Sequence, residues 1–448
     1  MEHTPDDAAE IGRRLRALRR ARGLKQQDLA SEDISVSYVS LIETGKRTPS
    51  DAVLQTLADR VSCTVEYLRS GRDDTRARDL ELKIAFADLA MRNGANGEAL
   101  QAYSEAIASA PLLSQDAVRR ARLGQALAME KLGRLEAAIQ LMTDLFEDGQ
   151  SVAGSAQWTQ LAVALCRCYR EQGDQVLSVE IGENALKRLD QLGLDTTDDH
   201  IQLGATLIDC YRLRGDVTRA HLLAERLIDR ADESGSRVAR GSVYWNAALV
   251  AQSRGNAEEA LALLDRALLL MAETDNHRHQ SLLKAAYGQV LLYAGPADAE
   301  RALELLTQAQ QAVVEVGTAA EQAKIETYLA QARIQLDQPR IAQEHASRAV
   351  GLLRSEARWE TAMARAVLAQ AQLMTGEESA AEETLRSAAQ RLRQVSPSRQ
   401  TATVWRILGD LWQQHGHVNE ALGAFRQAMD DAGLPSSSAD HSVAAVRF

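Results

Sequence analysis

At 448 residues the chain has room for two or three domains and a large buried core. Gly and Pro are modest, aromatics stand at 4 %, and Ala, Leu, Gln, Glu and Arg dominate, which points to an all-α protein and away from sandwich, barrel or disulfide-scaffold classes. The net charge of −11 is unevenly held: residues 11–60 carry ten Lys/Arg and six Asp/Glu, a local +4 that leaves −15 on the remainder.

No run approaches the roughly 18 apolar residues of a membrane span. The acidic start (Glu2, Asp6, Asp7, Glu10) does not look like a signal peptide, so a cytoplasmic protein with no membrane partner is expected. Cys63, Cys166, Cys168 and Cys210 form no disulfide framework, and Cys166 and Cys168 are too close for an ordinary zinc site. They read as buried small apolar residues.

The stretch from Ile11 to Leu68 reads as five short helices after an acidic arm at 1–10. Ile11, Leu15 and Leu18 recur at helical spacing up to Arg22-Gly23, and Leu24 to Ala30 form a second, one-sided helix. A tight turn through Ser31 to Ile34 leads to Ser35, placed to cap a third helix over Val36 to Thr44 with Val39 and Ile42 inward. Gly45 ends it, Lys46-Arg47-Thr48-Pro49 is a basic loop, and Ser50 caps a fourth helix at 51–60 before Val65 to Leu68 begin a fifth. The positive charge is concentrated on and near the first helix, at Arg13, Arg14, Arg16, Arg20 and Arg22.

Two helices joined by a short turn, the second with small and polar residues at its exposed start, form a unit suited to a DNA major groove. The segments Arg22 to Ala30, Ser37 to Gly45 and Pro49-Ser50 resemble the Cro-type (XRE) helix-turn-helix domain of phage repressors and bacterial regulators, although the turn is about one residue shorter than usual and lacks its common Gly. The resemblance implies that Gln26 bonds a phosphate at a helix N-terminus and that Thr44, Lys46 and Arg47 hold the DNA backbone on the other side. Val36, Ser37, Ser40 and Leu41 take the positions facing base edges, with Val36 and Leu41 suited to thymine methyls or, alternatively, to core packing; Tyr38 fits either role. Arg19 and Glu43 match the family's internal ion pair.

Gly71 to Arg76 is polar and apolar-free, so the helix-turn-helix domain is placed at 11–71, a linker at 72–79 and a second domain at 80–432. There a small residue returns at Ala99, Ala138, Ser178, Ala220, Ala260, Ala302, Ala342, Ala381 and Ala421, spaced 39 to 42 residues, most of them five residues after a Gly. Gln338-Pro339 breaks the seventh unit instead. Nine helical pairs are expected. They resemble tetratricopeptide (TPR) repeats, most clearly at Trp405, Leu408, Gly409, Trp412, Ala421, Phe425 and Ala428, with a longer period than the usual 34 or so residues. A generic α-solenoid is the alternative. From Gly433 to Phe448 the pattern lapses into an expected disordered tail.

Stacked pairs of this kind line a concave groove with their first helices, which nominates Arg167, Arg170, Asp209, Arg212, Trp245, Asn246, Gln252, Gln289 and Gln331 as ligand-binding residues. Guanidinium groups suit a carboxylate, amides a peptide backbone and Trp an apolar side chain. No phosphate loop, HExxH or Gly-x-Ser-x-Gly pattern is present, and the His277/His279 and His415/His417 pairs lack a third ligand; no enzyme activity, cofactor or metal is expected.

The two modules together resemble the RRNPP group of bacterial peptide-sensing quorum-sensing regulators. That resemblance implies a homodimeric transcriptional regulator whose binding to a palindromic double-stranded DNA operator is controlled by a signalling peptide or small-molecule effector in the groove. The alternative is a TPR interaction scaffold whose helix-turn-helix is an anchor without ligand control.

Overall fold

The computed structural model describes residues 5–31, 33–71, 74–148, 153–234, 236–272, 277–353 and 359–434. Among these the protein is all-helical, in two compact units, 1–148 and 149–448.

The first unit opens with α1 (Pro5–Ala21), a single 3-10 turn (Gln26–Leu29), α2 (Val36–Glu43), α3 (Asp51–Arg60) and α4 (Val65–Ser70). Residues 5–10 of the expected arm are therefore helical, and the expected second helix is one 3-10 turn. Four residues are too few for a stable α-turn, and the guanidinium of Arg60 takes the carbonyls of Asp28 and Ala30 that a longer helix would have bonded itself. Ser35, Ser50 and Thr64 cap α2, α3 and α4 by accepting from the backbone N–H three residues on. The short turn closes through a reciprocal pair of backbone bonds between Ser31 and Ile34, at 2.9 and 3.2 Å.

The expected linker does not separate the modules, because residues 74–79 already belong to α5 (Asp74–Arg92). This helix pairs with α6 (Asn96–Ile107), and α7 (Gln115–Lys131) with α8 (Leu135–Asp148), within the same unit. Leu80 of α5 and Leu112 join the core of the helix-turn-helix, beside Ile11, Leu15, Leu18, Leu57 and Leu68, so the compact unit extends past the polar joint.

The second unit holds seven further pairs: α9 (Ala156–Gln172) with α10 (Gln175–Gln191), α11 (Asp198–Arg214) with α12 (Val217–Ser234), α13 (Arg237–Ser253) with α14 (Ala257–Met271), and α15 (His277–Ala294) with α16 (Ala299–Val316). The last three are α17 (Ala319–Gln335) with α18 (Pro339–Leu352), α19 (Trp359–Met374) with α20 (Glu378–Leu392), and α21 (Arg399–Gln414) with α22 (Val418–Asp431). All nine recurring small residues, from Ala99 to Ala421, are buried, which is why the pairs pack closely. Large side chains fill what the small ones leave: a Cβ on Gly409 would lie 2.5 Å from Phe425, and one on Gly124 2.3 Å from Tyr103. In the seventh pair Asp337 adopts the left-handed conformation that Gly supplies elsewhere, and Pro339 then opens α18. Within this unit the pairs curl far enough for α11 to meet α21, where Gly215 faces Arg399. The four cysteines are buried, and none is in a disulfide. The expected tail lies outside the described residues beyond Leu434.

Candidate nucleic-acid interface and ligand groove

The exposed surface of α2 is built by what holds its back. Gly12 lets α1 lie against α2 so closely that a Cβ there would sit 2.1 Å from the Ile42 carbonyl oxygen. Val39 and Ile42 are fully buried, so Val36, Ser37, Leu41 and Thr44 face outward, with Ser40 half-buried among them. Val36 and Leu41 are 43 % and 42 % exposed, which places both on the surface rather than in the core. Tyr38 is half-buried and packs against the head's core.

Behind this face Arg19 grips Glu43 as a fork, Nε to Oε1 at 2.5 Å and Nη2 to Oε2 at 2.9 Å. Gln26, nominated for phosphate, donates its amide to the same carboxylate at 2.8 Å and so braces the 3-10 turn against α2. Burial alone would raise the Glu43 carboxyl; the bonds from Arg19 and Gln26 outweigh it and hold the group below its ordinary value. Thr44 donates its hydroxyl to the carbonyls of Ser40 and Leu41, leaving lone pairs outward, while Lys46 and Arg47 stand exposed on the loop after Gly45.

The basic cluster near α1 divides by role. Arg14 bonds the carbonyls of Leu68 and Arg69 at the end of α4, and Arg22 bonds the Ser62 carbonyl and the Ser109 hydroxyl, so both tie the fold together. Arg16 and Arg20 remain exposed.

In the second unit the nominated groove residues fall into two sets. Arg170 and Arg212 converge on Asp209, at 2.7 and 2.6 Å, which locks α9 to α11. Burial would push the Asp209 carboxyl up, but Arg212 and Arg170 outweigh it and hold it at about 2. Arg167 lies one turn from Arg170 on the same helix. Trp245 instead packs half-buried against a core of Tyr244, Leu264 and Tyr287, and its buried indole N–H has no hydrogen-bond partner among the described residues. The amide of Asn246 donates to the Ser242 carbonyl of its own helix, and Gln252, Gln289 and Gln331 are half-buried on α13, α15 and α17.

Lys324 was not among the sequence nominations. It sits on α17 within electrostatic reach of Arg170, Asp209 and Arg212, over a hundred residues earlier in the chain, and of Glu360 on α19. Its side chain is open to water yet walled by protein, and this surrounding pulls the ammonium below its ordinary value. No carboxylate lies in ion-pair reach of it among the described residues; its neighbour is the Tyr328 ring, 5.8 Å to the centroid. Lys324, Tyr328 and Gln331 share one helical face, so stepping back two turns from Gln331 locates the lysine in the sequence.

Comparison with known proteins bears on the head first. A helix-turn-helix domain family matches residues 10–69. The HTH-type transcriptional regulator YazB of Bacillus subtilis is 44 % identical over 62 residues, 13 % of this chain and 90 % of that protein. The chain belongs to the helix-turn-helix transcriptional regulators. Within that family, PrpR of Mycobacterium tuberculosis is 33 % identical over 93 residues, 20 % of this chain. DdrOP3 of Deinococcus deserti is 46 % identical over 59 residues, 13 % of this chain. The regulator described here spans 19 % of the length of PrpR and 46 % of that of DdrOP3.

The repeats of this helix-turn-helix regulator share their fold with a Rap protein solved with Competence and Sporulation Factor, at TM-score 0.53 and 13 % identity over 80 % of this chain and 98 % of that one. PlcR of Bacillus thuringiensis, solved with a peptide and DNA, gives TM-score 0.39 at 16 % identity over 61 % of this chain and 99 % of that one. Among the described residues no helix is long and apolar enough to cross a membrane, and no group of three or more His, Cys, Asp or Glu is placed to hold a metal.

Proposed function

We propose that this protein is a homodimeric transcriptional regulator which reads a two-fold DNA operator through α2 and is controlled by a peptide-class signal bound in the groove of the second unit. On DNA, Val36, Ser37, Ser40 and Leu41 meet base edges, Lys46 and Arg47 meet phosphates, and Gln26 reaches a phosphate with the amide hydrogen that Glu43 leaves open. One short helix reads only a few base pairs, so specificity calls for two half-sites.

What supports the sensing half is that Lys324 of α17 lies within electrostatic reach of Asp209 and of the two arginines that hold it. Asp209 is already held by two arginines, and among the described residues Lys324 has no carboxylate in ion-pair reach, with Glu360 acting on it from farther off; the cluster thus carries more cations than carboxylates, and a further carboxylate is the chemistry that answers it. Gln331 stands on the same helix as Lys324, α17, and Gln289 on α15, and their half-buried amides suit a peptide backbone as hydrogen-bond partners. A Rap protein of the same fold is seen complexed with Competence and Sporulation Factor, which agrees with a bound partner here.

Selection of duplexes from a random pool, followed by footprinting, tests the DNA half. A two-fold-symmetric site should emerge; recovery of no preferred sequence counts against the proposal and favours a scaffold. The sensing half is tested by operator affinity with and without added peptides, and the same peptides should lose their effect on a Lys324→Met protein.

A further inference from the structure

The first helix of a stacked array has no preceding pair to cover it, so its outer face is ordinarily polar. In this chain it is apolar. On α5, Leu82, Phe86 and Leu89 are 68 %, 54 % and 52 % exposed, and the exposed Ala85 lies between them on the same face. The opposite face carries Ile84, Ala87 and Ala90 into the core with α6, so the exposed stripe is additional to the packing that holds the helix.

Charge shows what would cover it. Asp79 stands one turn before Leu82 and Arg92 one turn after Leu89, both exposed, and neither has an ion-pair partner among the described residues. We propose that this face is a homodimer interface, in which two copies of α5 pack antiparallel about a two-fold axis passing between Ala85 and Phe86. Residues equidistant from that axis face each other. Leu82 then meets the partner's Leu89, Ala85 the partner's Phe86, and Asp79 the partner's Arg92, with each contact made twice. Ala85 is the small residue the partner's ring requires. A parallel pairing would instead oppose Asp79 to itself and Arg92 to itself, so the pattern is self-complementary in one orientation only.

Three large apolar side chains per copy make an interface well short of the roughly 1,200–2,000 Å² of stable complexes. The dimer should therefore half-form at a concentration on the order of 10 µM. The inference deepens the dimer assumed in the reading above but is argued from α5 alone. Because Leu80 of this helix is part of the head's core, a contact here also fixes the two heads relative to each other.

Sedimentation equilibrium of the full chain without DNA is the test. The natural protein should show a monomer–dimer equilibrium, and Phe86→Glu should weaken it at least about 100-fold while leaving the helical signal and melting unchanged. Asp79→Arg and Arg92→Asp should each weaken it by about tenfold, and the double swap should restore it to within about twofold. Because the four native cysteines are buried, a short bismaleimide should join Leu82→Cys to Leu89→Cys in a mixture but not Leu82→Cys to itself. A monomer throughout the range overturns the inference, as does a dimer indifferent to Phe86→Glu or a Leu82→Cys protein that cross-links to itself. Operator selection on the same preparations separates the two readings. Preferred-site binding by a protein whose α5 does not associate sinks only the interface, whereas an α5 dimer with no preferred sequence sinks only the regulator.

Discussion

The phenol of Tyr67, in the last helix of the head, donates to the carbonyl of Pro111 at 3.0 Å, in the connection that follows the first repeat pair. Arg22 reaches Ser109 beside it at 3.0 Å, and Leu112 completes the head's core. The DNA-reading head and the first pair are thus one folding unit, and a tilt of α5 and α6 is carried to α2 through packed side chains rather than through a tether.

It follows that a fragment ending at residue 71 should be less stable than one ending at 148, because it lacks Leu80, Leu112 and the Pro111 acceptor. Tyr67→Phe in the longer fragment should cost about 1 kcal/mol, the net worth of one hydrogen bond. Thermal melting of both fragments checks this; equal melting temperatures would show that the contacts across the joint contribute nothing.

The Glu43 carboxylate gives the head a pH dependence with a definite sign. Burial opposes its charge, but Arg19 and Gln26 depress its folded pKa below the unfolded one. The associated stability is fully present above the ordinary glutamate range and is lost as pH falls through the depressed folded value. Glu43→Ala strands the partly buried Arg19 and should cost about 3–5 kcal/mol. Glu43→Gln, which keeps the shape, should remove this group's share of the acid-induced loss. Melting of residues 1–148 across acid pH is the measurement, and an unaltered acid profile in the Gln variant would refute the assignment.

On DNA the loop and the helix should behave differently. Lys46→Ala or Arg47→Ala removes an exposed cation with no ion-pair partner among the described residues, so affinity should fall about equally on every sequence and the salt slope should drop by about one. Val36→Ser or Leu41→Ser should instead change which base is preferred, by about 1–3 kcal/mol at one position of each half-site. Competition titrations on a set of single-base operator variants separate these outcomes. If Lys46→Ala altered preference and spared affinity, α2 would not be the element in the groove.

The sequence carried local and periodic information well. Ser35 and Ser50 cap as expected because a cap depends on residues three apart, and Ala99 through Ala421 are buried because close pair packing needs a small side chain at each return. What it concealed depends on contacts far apart in the chain. The polar run at 71–76 resembles a linker, yet α5 begins within it and Leu80 packs on the head. Gln26 has the spacing of a phosphate ligand, but its amide is held by Glu43 seventeen residues on. Trp245 suits a ligand platform by type, whereas its surroundings make it a wall of the core. Lys324 can be reached in the sequence by stepping back two turns from Gln331, but its nearness to Asp209, more than a hundred residues earlier, depends on the fold.

That lysine gives the sharpest separation between holding the fold and holding a ligand. Asp209 is buried with Arg170 and Arg212 on it, so Asp209→Ala leaves two partly buried guanidinium groups uncompensated and should cost about 3–5 kcal/mol whether or not a signal is present. Lys324 is exposed and has no ion-paired carboxylate among the described residues, so Lys324→Met should change stability by no more than about 0.5 kcal/mol. If the groove takes a peptide by its carboxylate, the same substitution should abolish the effect of active peptides on operator affinity, and amidating the C-terminus of those peptides should weaken them on the natural protein but not further on Lys324→Met. Non-additivity of this kind is what a direct contact produces. Melting curves and operator titrations with free-acid and amidated peptides give both readouts from one set of proteins. A Lys324→Met protein that melts normally and still responds fully would remove the cluster from the binding site, leaving the convex faces of α10 and α12 as the surface to examine.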